Sequence, residues 1–562
     1  MIYSIKKTFS QSLVKISFLT LFIGFLLVFI GNFFGIDLSD EGLAVLGFMP
    51  KQNLGINFTH YQVVVQSIFP NGISFLVARQ LRLLLIVISG IILLISIYHS
   101  ELKKIIRVSF THVILLIGAT TLISLGTGIQ VLSYNGLNQF MITLYVAFLI
   151  QYWDKINTKN SSLFWLVLLS ICISPIYLIR LPSFIPFIIL HFTALLVINL
   201  KNLKSFLRHS IYSSILFYLI IVFLGVNFIS ISSVFSDVYL FAKMSSEQTD
   251  GHGFRLVFRY LYDFVQKFAI IFFASISYYS LSKYLKTFRE KWFRILSNFL
   301  LLTFVFLSLI SYPISISSFA IFLFLMIIIS YYGIKSTKFS ILKELDKISF
   351  SIVLIFFAVA STIGSNVWII NLSLFYLSIW AVASLFFISK KNYNVFKNVT
   401  YLLVFLAFLK IILTAFILPH RQGSLLTPHQ LYETKNRGSI FLDKDMYLYI
   451  TEIRSYLELQ NLYEKDIVAV SRLPGLVYLL DSHMPGSINF TDAYWKVYCE
   501  SLSSSPENRP VVIFRGNIPI ELIECLADKD IDLESDYVLG KTIKTGFSKY
   551  KMPTYVYIEK EK

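Results

Sequence analysis

Three carboxylates fall within five positions in the stretch Gly35-Ile-Asp-Leu-Ser-Asp-Glu-Gly42: Asp37, Asp40 and Glu41. Acids are scarce around them, since residues 1–419 hold 12 acidic and 32 basic side chains. A carboxylate at such a place can take a proton from a hydroxyl. It can equally be a solvated boundary where a helix leaves a bilayer. Six basic residues are candidates for the complementary role of binding a phosphate. They are Arg79, Arg82, Arg180, Arg255, Arg259 and His252. A guanidinium grips phosphate through a fork of parallel N–H donors and stabilises it as a leaving group. A base and a phosphate clamp on one membrane surface suit group transfer from a lipid-linked phosphosugar, whose phosphate sits at headgroup level.

Each residue also has a plainer use. Arg79 and Arg82 open an apolar run and suit snorkelling to the headgroups. Arg180 lies where two apolar runs nearly meet. Arg255 and Arg259 are one helical turn apart and share a face that a solvated helix would also present. His252 is a single histidine in a glycine-flanked turn, and Lys410 lies within an apolar run close enough to its end to snorkel. CxxC and HExxH spacings, GxSxG and a glycine-rich phosphate loop are missing, so no metal or cofactor is assigned and dependence on a divalent metal stays open.

The elements that must carry these residues are membrane helices. The 562 residues are 56% hydrophobic and only 14% charged, with a mean hydropathy of +0.70. Thirteen apolar runs read as spans, near 16–34, 80–98, 108–126, 138–152, 163–179, 183–200, 211–231, 264–282, 295–312, 316–333, 348–365, 368–388 and 399–418; the fourth is short and the fifth and sixth nearly touch at Arg180-Leu-Pro182, a pattern that a re-entrant segment would also give. With the N-terminus in the cytoplasm, cytoplasmic segments carry 23 Lys and Arg and the opposite ones carry 8. The positive-inside bias therefore fixes the orientation, and an odd number of spans puts the C-terminal part outside the cytoplasm. Two outer segments are long, 35–79 and 232–263, and long loops are where sites are built. The fold class that follows is an all-α polytopic membrane bundle over 1–419 and a small extracytoplasmic α/β domain over 420–562. Strand-like runs there are Ile467-Val-Ala-Val470, Val511-Val-Ile-Phe514 and Tyr555-Val-Tyr-Ile558, with helical patterns near 447–461 and 520–529. Cys499 and Cys525 fall in that domain, and their spacing leaves pairing open.

The net charge of +17 does not imply nucleic acid. All of the excess lies in 1–419, in alternate loops, whereas 420–562 holds 17 basic and 20 acidic residues. The partner indicated by composition is the lipid bilayer.

The order of these features resembles the GT-C superfamily of polytopic glycosyltransferases, which includes protein O-mannosyltransferases and aminoarabinose transferases. The residues that carry the resemblance are Asp40-Glu41 after the first span, Arg82 in Arg79-Gln-Leu-Arg82 at the start of the second, and the stretches Thr362-Ile-Gly-Ser-Asn366 and Leu473-Pro-Gly-Leu-Val-Tyr-Leu-Leu480. The resemblance implies a polyprenyl-phosphate sugar as donor, a glycan, lipid or protein hydroxyl as acceptor, and action at the outer face of a bacterial plasma membrane. It implies that Asp40 is the base and Glu41 its neighbour, with Asp37 the competing assignment. The Lys-Pro-Pro stretch of aminoarabinose transferases is not in the first loop. Rival readings are a transporter or flippase, a polysaccharide polymerase or ligase, and a non-catalytic scaffold. A transporter would place charge at mid-membrane in several spans, where only Lys410 stands out.

Overall fold

A computed structural model of the chain describes residues 2–100, 102–105, 110–126, 130–156, 162–248, 254–285, 316–334, 345–364, 369–417, 424–463, 465–488, 495–502, 509–544 and 552–560. Helices dominate to residue 417. In chain order they are α1 (Ile2–Gly31), α2 (Asp40–Gly47), α3 (Tyr61–Ile68), α4 (Phe75–His99), α5 (Phe110–Leu125), α6 (Tyr134–Ile156), α7 (Ser162–Ile173), α8 (Ile176–Ile198), α9 (Leu203–Asn227), α10 (Ile231–Gln248), α11 (Phe254–Leu285), α12 (Ile316–Ile334), α13 (Leu345–Ala360), α14 (Leu377–Leu385) and α15 (Tyr393–Ile411), besides short turns.

Six helical segments among the described residues are long and apolar enough to cross a membrane: Gln11–Gly31, Phe75–His99, Ile176–Ile198, Leu203–Asn227, Phe264–Tyr284 and Tyr393–Thr414. Shorter apolar helices fall in other expected runs, at Phe110–Leu125, Ser162–Ile173, Ile316–Tyr332 and Ile369–Leu385. The run at 295–312 lies outside the described residues. Large apolar side chains such as Leu84, Ile91, Ile215 and Phe223 stay exposed on these helices, as helices bathed by lipid rather than water would leave them.

Two details differ from the sequence expectation. One break between helices falls at Ser174-Pro175, ahead of the expected junction at Arg180-Leu-Pro182, where α8 carries a second, non-helical break at Arg180. The segment 232–263, expected as a loop, is largely helical, with α10 reaching Gln248 and α11 starting at Phe254.

Beyond residue 424 the chain is α/β. A hairpin of β1 (His429–Glu433) and β2 (Ser439–Asp443) precedes a four-stranded sheet. The sheet contains β3 (Ile467–Ala469), β4 (Val511–Arg515), β5 (Tyr537–Ile543) and β6 (Thr554–Glu559) in the order β3-β4-β6-β5. β3 and β4 are parallel and the other pairs antiparallel. Helices α16 (Lys444–Leu459), α17 (Pro474–Leu479), α18 (Trp495–Ser501) and α19 (Ile520–Ala527) pack around it. Cys499 of α18 and Cys525 of α19 are joined by a disulfide, with Cα atoms 6.2 Å apart.

The apolar side chains form two large clusters. One fills the helix bundle. The other runs without a break from Ile36 to Ala78 of the first long connection into the sheet and helices of the C-terminal region. That connection is therefore part of the C-terminal unit's core. Phe34 bridges to Phe441 of β2, and Gln52 exchanges two hydrogen bonds with the Met484 backbone, at 2.7 and 3.0 Å.

α17 packs closely against α2 and the turn before it. Gly475 N donates to Leu38 O at 2.7 Å. A Cβ added to Gly475 would stand 2.7 Å from Leu38 Cα, and one added to Gly42 would collide with the Gly475 backbone. Backbone cannot yield as a side-chain tip can, so the two glycines are what allows the contact. Gly42→Ala and Gly475→Ala are each expected to lower stability by roughly 1–3 kcal/mol and to speed protease cleavage between the bundle and the C-terminal region. Unchanged melting and cleavage in both variants would show that this contact does not hold the two parts together.

Candidate active site

The carboxylates of the Gly35–Gly42 stretch have three different settings. Asp37 is buried, and its Oδ1 accepts from Ser39 N at 3.1 Å and Ser39 Oγ at 2.7 Å. Its Oδ2 accepts from Asp40 N at 3.1 Å. Asp37 thus caps α2, satisfying donors that the first turn of a helix leaves open.

Glu41 is fully enclosed. Its Oε2 meets Arg79 Nη2 at 2.7 Å, and both side chains are 0% exposed. The same oxygen accepts from Asp37 N at 3.1 Å. Its Oε1 accepts from Gln130 N at 2.6 Å and Val131 N at 3.2 Å. Arg79 Nη1 donates in turn to Asn32 O at 3.0 Å and Phe34 O at 2.7 Å, and its guanidinium lies 4.1 Å from the Phe75 ring centroid. The pair therefore ties the end of α1, the start of α2, the first turn of α4 and the segment before α6.

Asp40 is the first residue of α2 and the exposed carboxylate of the three. It acts electrostatically on Tyr134, as does Arg180. Tyr134, at the start of α6, has the Arg180 guanidinium 5.4 Å from its ring centroid.

Arg180 interrupts α8 with an extended backbone, φ −160° and ψ 82°. The sequence accounts for the interruption. Pro182 has no N–H to give to the carbonyl of Leu178, and that carbonyl accepts from His60 N instead, at 2.7 Å. The Arg180 side chain is 3% exposed. Its Nε donates to Ile363 O at 2.9 Å, Nη1 to Asn135 Oδ1 at 2.9 Å and Nη2 to Thr362 O at 3.0 Å. All three acceptors are neutral. Arg180 is a buried cation held in position with no carboxylate among these partners.

Arg82 is also buried and reaches Gln130 O at 3.4 Å and Ser124 O at 3.3 Å. The Cβ of a larger residue at 136 would stand 3.4 Å from its side chain. Arg255 and Arg259 lie on α11, but their side chains are outside the described set, and His252 lies outside the described residues altogether.

Sequence reasoning missed four contributors. Tyr134 and Asn135 begin a span and carry no motif. His60 joins the two long connections: its Nε2 lies 2.9 Å from Asp237 Oδ2 on α10. Burial pushes the His60 imidazole below its usual range, and the hydrogen bond to Asp237 opposes that. Phe58 packs between Tyr134, at 5.6 Å between ring centroids, and Phe241 of α10, at 5.3 Å. A His and a Phe two residues apart in an apolar loop were the signal available.

Among the described residues no group of three or more His, Cys, Asp or Glu could hold a metal ion. No protein-family model matches the chain, and no curated protein is similar to it.

Removing one member of a buried ion pair leaves the other uncompensated, at roughly 3–5 kcal/mol. Glu41→Gln keeps the shape and loses the charge. It is expected to lower the thermal stability of the purified protein by about that amount, as is Arg79→Met. A melting temperature equal to the parent's in both variants would rule out the anchoring role.

Proposed function

We propose that the protein is an inverting glycosyltransferase of the GT-C kind, moving a sugar from a polyprenyl-phosphate donor to an acceptor hydroxyl at the outer face of a plasma membrane. One observation carries this reading. An exposed carboxylate, Asp40, heads a helix whose next residue, Glu41, accepts from Gln130 N and Val131 N, and an enclosed guanidinium hydrogen-bonded to neutral acceptors, Arg180, lies 5.4 Å from the ring of Tyr134 three residues further on.

The chemistry uses both groups. Asp40 takes the proton of the acceptor hydroxyl as its oxygen bonds to the anomeric carbon. The bond from that carbon to the phosphate oxygen breaks, and the polyprenyl phosphate leaves with one more negative charge. Arg180 meets that charge with a positive field already oriented, which is where electrostatic catalysis is strongest. Asn135 and the Thr362 and Ile363 carbonyls hold the guanidinium, so no reorganisation is needed at the moment of transfer. Arg82 is a further candidate for the phosphate, and Arg255, Arg259 and His252 remain in the pool by their place in the sequence. In this reading Glu41 and Asp37 serve the geometry of the turn that presents Asp40.

The orientation belongs to the same proposal. The N-terminus is cytoplasmic, about 13 spans cross the membrane, and residues 420–562 are extracytoplasmic. The lysine and arginine asymmetry supports it, and so does a disulfide in that region, since disulfides persist in oxidising compartments.

Membranes containing the parent protein, a polyprenyl-phosphate sugar and an acceptor glycan should show transfer. Asp40→Asn is expected to abolish it while expression and membrane insertion stay intact. Arg180→Lys is expected to lower kcat by about 100-fold, because an ammonium cannot reproduce the fork. Full activity of Asp40→Asn would reject the base assignment.

A further inference from the structure

A second polar surface lies at the other end of the bundle. α6 runs from Tyr134, beside Asp40, to Ile156, and α8 runs from Ile176 to Ile198. At 1.5 Å per residue α6 covers about 35 Å and the part of α8 beyond its break at Arg180 about 27 Å, comparable with the ~30 Å thickness of a bilayer's hydrocarbon core. Residues at Ile156 and Ile198 therefore reach the opposite membrane surface. Here a short turn, 199–202, joins the two candidate spans α8 and α9.

Two cavities adjoin at this turn. One, of about 260 Å³, is lined by Trp153, Asn199, Lys201, Asn202, Ser205 and Asp346, among others. The other, of about 510 Å³, is lined by Asn202, Lys204, Ser205, Arg208, Ile211 and Tyr212. They share Asn202 and Ser205. These two are fixed: Asn202 Oδ1 accepts from Ser205 N at 3.0 Å, and Ser205 Oγ lies 3.3 Å from His209 Nδ1. His209 is itself held by Tyr152 at 2.9 Å and Ser162 at 3.1 Å. The floor is therefore built rather than loose.

The charges at the rim are unequal. Lys201 is paired with Asp346 at 3.1 Å, and Asp154 with Lys155 at 3.8 Å. Lys204 and Arg208, four residues apart on α9, share one face and make no ion pair with a described residue. Directly along that face come Tyr212 and Ile215, both exposed. Cations, then an aromatic residue, then aliphatic surface is the order in which a phospholipid presents phosphate, glycerol and chains.

We propose that this paired cavity binds the phosphate of an anionic membrane lipid, with Lys204 and Arg208 as its cationic ligands and Asn202 and Ser205 as neutral ones. The chemistry it recognises is a phosphate ester. The proposal rests on the membrane reading of the helices and is independent of the chemistry at Asp40, because the two sites lie at opposite ends of α6.

Native mass spectrometry of the full-length protein in detergent tests it, with phosphatidylglycerol and phosphatidylcholine of identical chains titrated separately. The expected result is preferential retention of phosphatidylglycerol. Lys204→Ala with Arg208→Ala should weaken it roughly 30-fold, the factor expected for two interfacial charges. The exchange Lys204→Arg with Arg208→Lys should restore it, which separates lost charge from misfolding. Equal retention of the two lipids, or a double alanine variant that binds like the parent, would overturn the proposal. Excess inorganic phosphate is added in a parallel arm: unchanged lipid retention supports a site that needs the chains, and displacement would assign the cavity to a soluble phosphate ester and overturn the lipid source.

Discussion

The buried Glu41–Arg79 pair is the constraint on which the candidate active site depends. Two charges taken wholly out of water cost several kcal/mol each, and their mutual attraction offsets this only when the remaining lone pairs and N–H groups are also bonded. Here Glu41 accepts from three backbone N–H groups as well as from Arg79. Arg79 donates to two carbonyls at the end of α1. The cost is met by recruiting backbone from three separate places, the end of α1, the turn before α2 and the segment before α6. Those places are then no longer independent, and the turn that displays Asp40 has little freedom left.

The same physics sorts the arginines. Arg79 and Arg180 are both almost inaccessible and both donate to carbonyls. They differ in the charge of what they meet. Arg79 has a carboxylate at 2.7 Å, so its field is largely cancelled beyond the pair. Arg180 meets an amide oxygen and two carbonyls, which orient it without cancelling its charge. A cation kept in this state is costly to the folded protein, and the cost has a use if an anion arrives there.

Much of this was legible in the sequence, but at differing depth. The apolar runs and three of the sheet strands follow from periodicity, because burial on one face or all round leaves a direct mark on residue order. β5 left none: Tyr537-Val-Leu-Gly-Lys-Thr-Ile543 carries glycine and lysine across a register shift and is mostly exposed. The cluster at Asp37, Asp40 and Glu41 was visible, while the roles within it were not. Cap, exposed acid and ion-pair anchor are told apart by Arg79, Gln130 and Val131, which lie about 40 to 90 positions away. Local sequence holds no record of such partners. Tyr134 and Asn135 escaped for the same reason, since an uncharged pair at the mouth of a span acquires meaning only when Arg180 comes to lie against it.

A pinned carboxylate also restricts how substrates could be handled. α2 is fixed from below by the ion pair and from its flank by Gly475, whose amide meets Leu38 O. In the proposed transfer a base so placed does not travel to follow an acceptor, and the acceptor and donor are brought to it. α10 meets the first connection through His60 and Asp237, and Asp237 is 30% exposed. A single hydrogen bond with one wet end is worth about 1 kcal/mol, against several for the buried anchor under Asp40. The anchor under the carboxylate is therefore the stronger of the two, and the packing of Phe58 on Phe241 adds to the hold on α10.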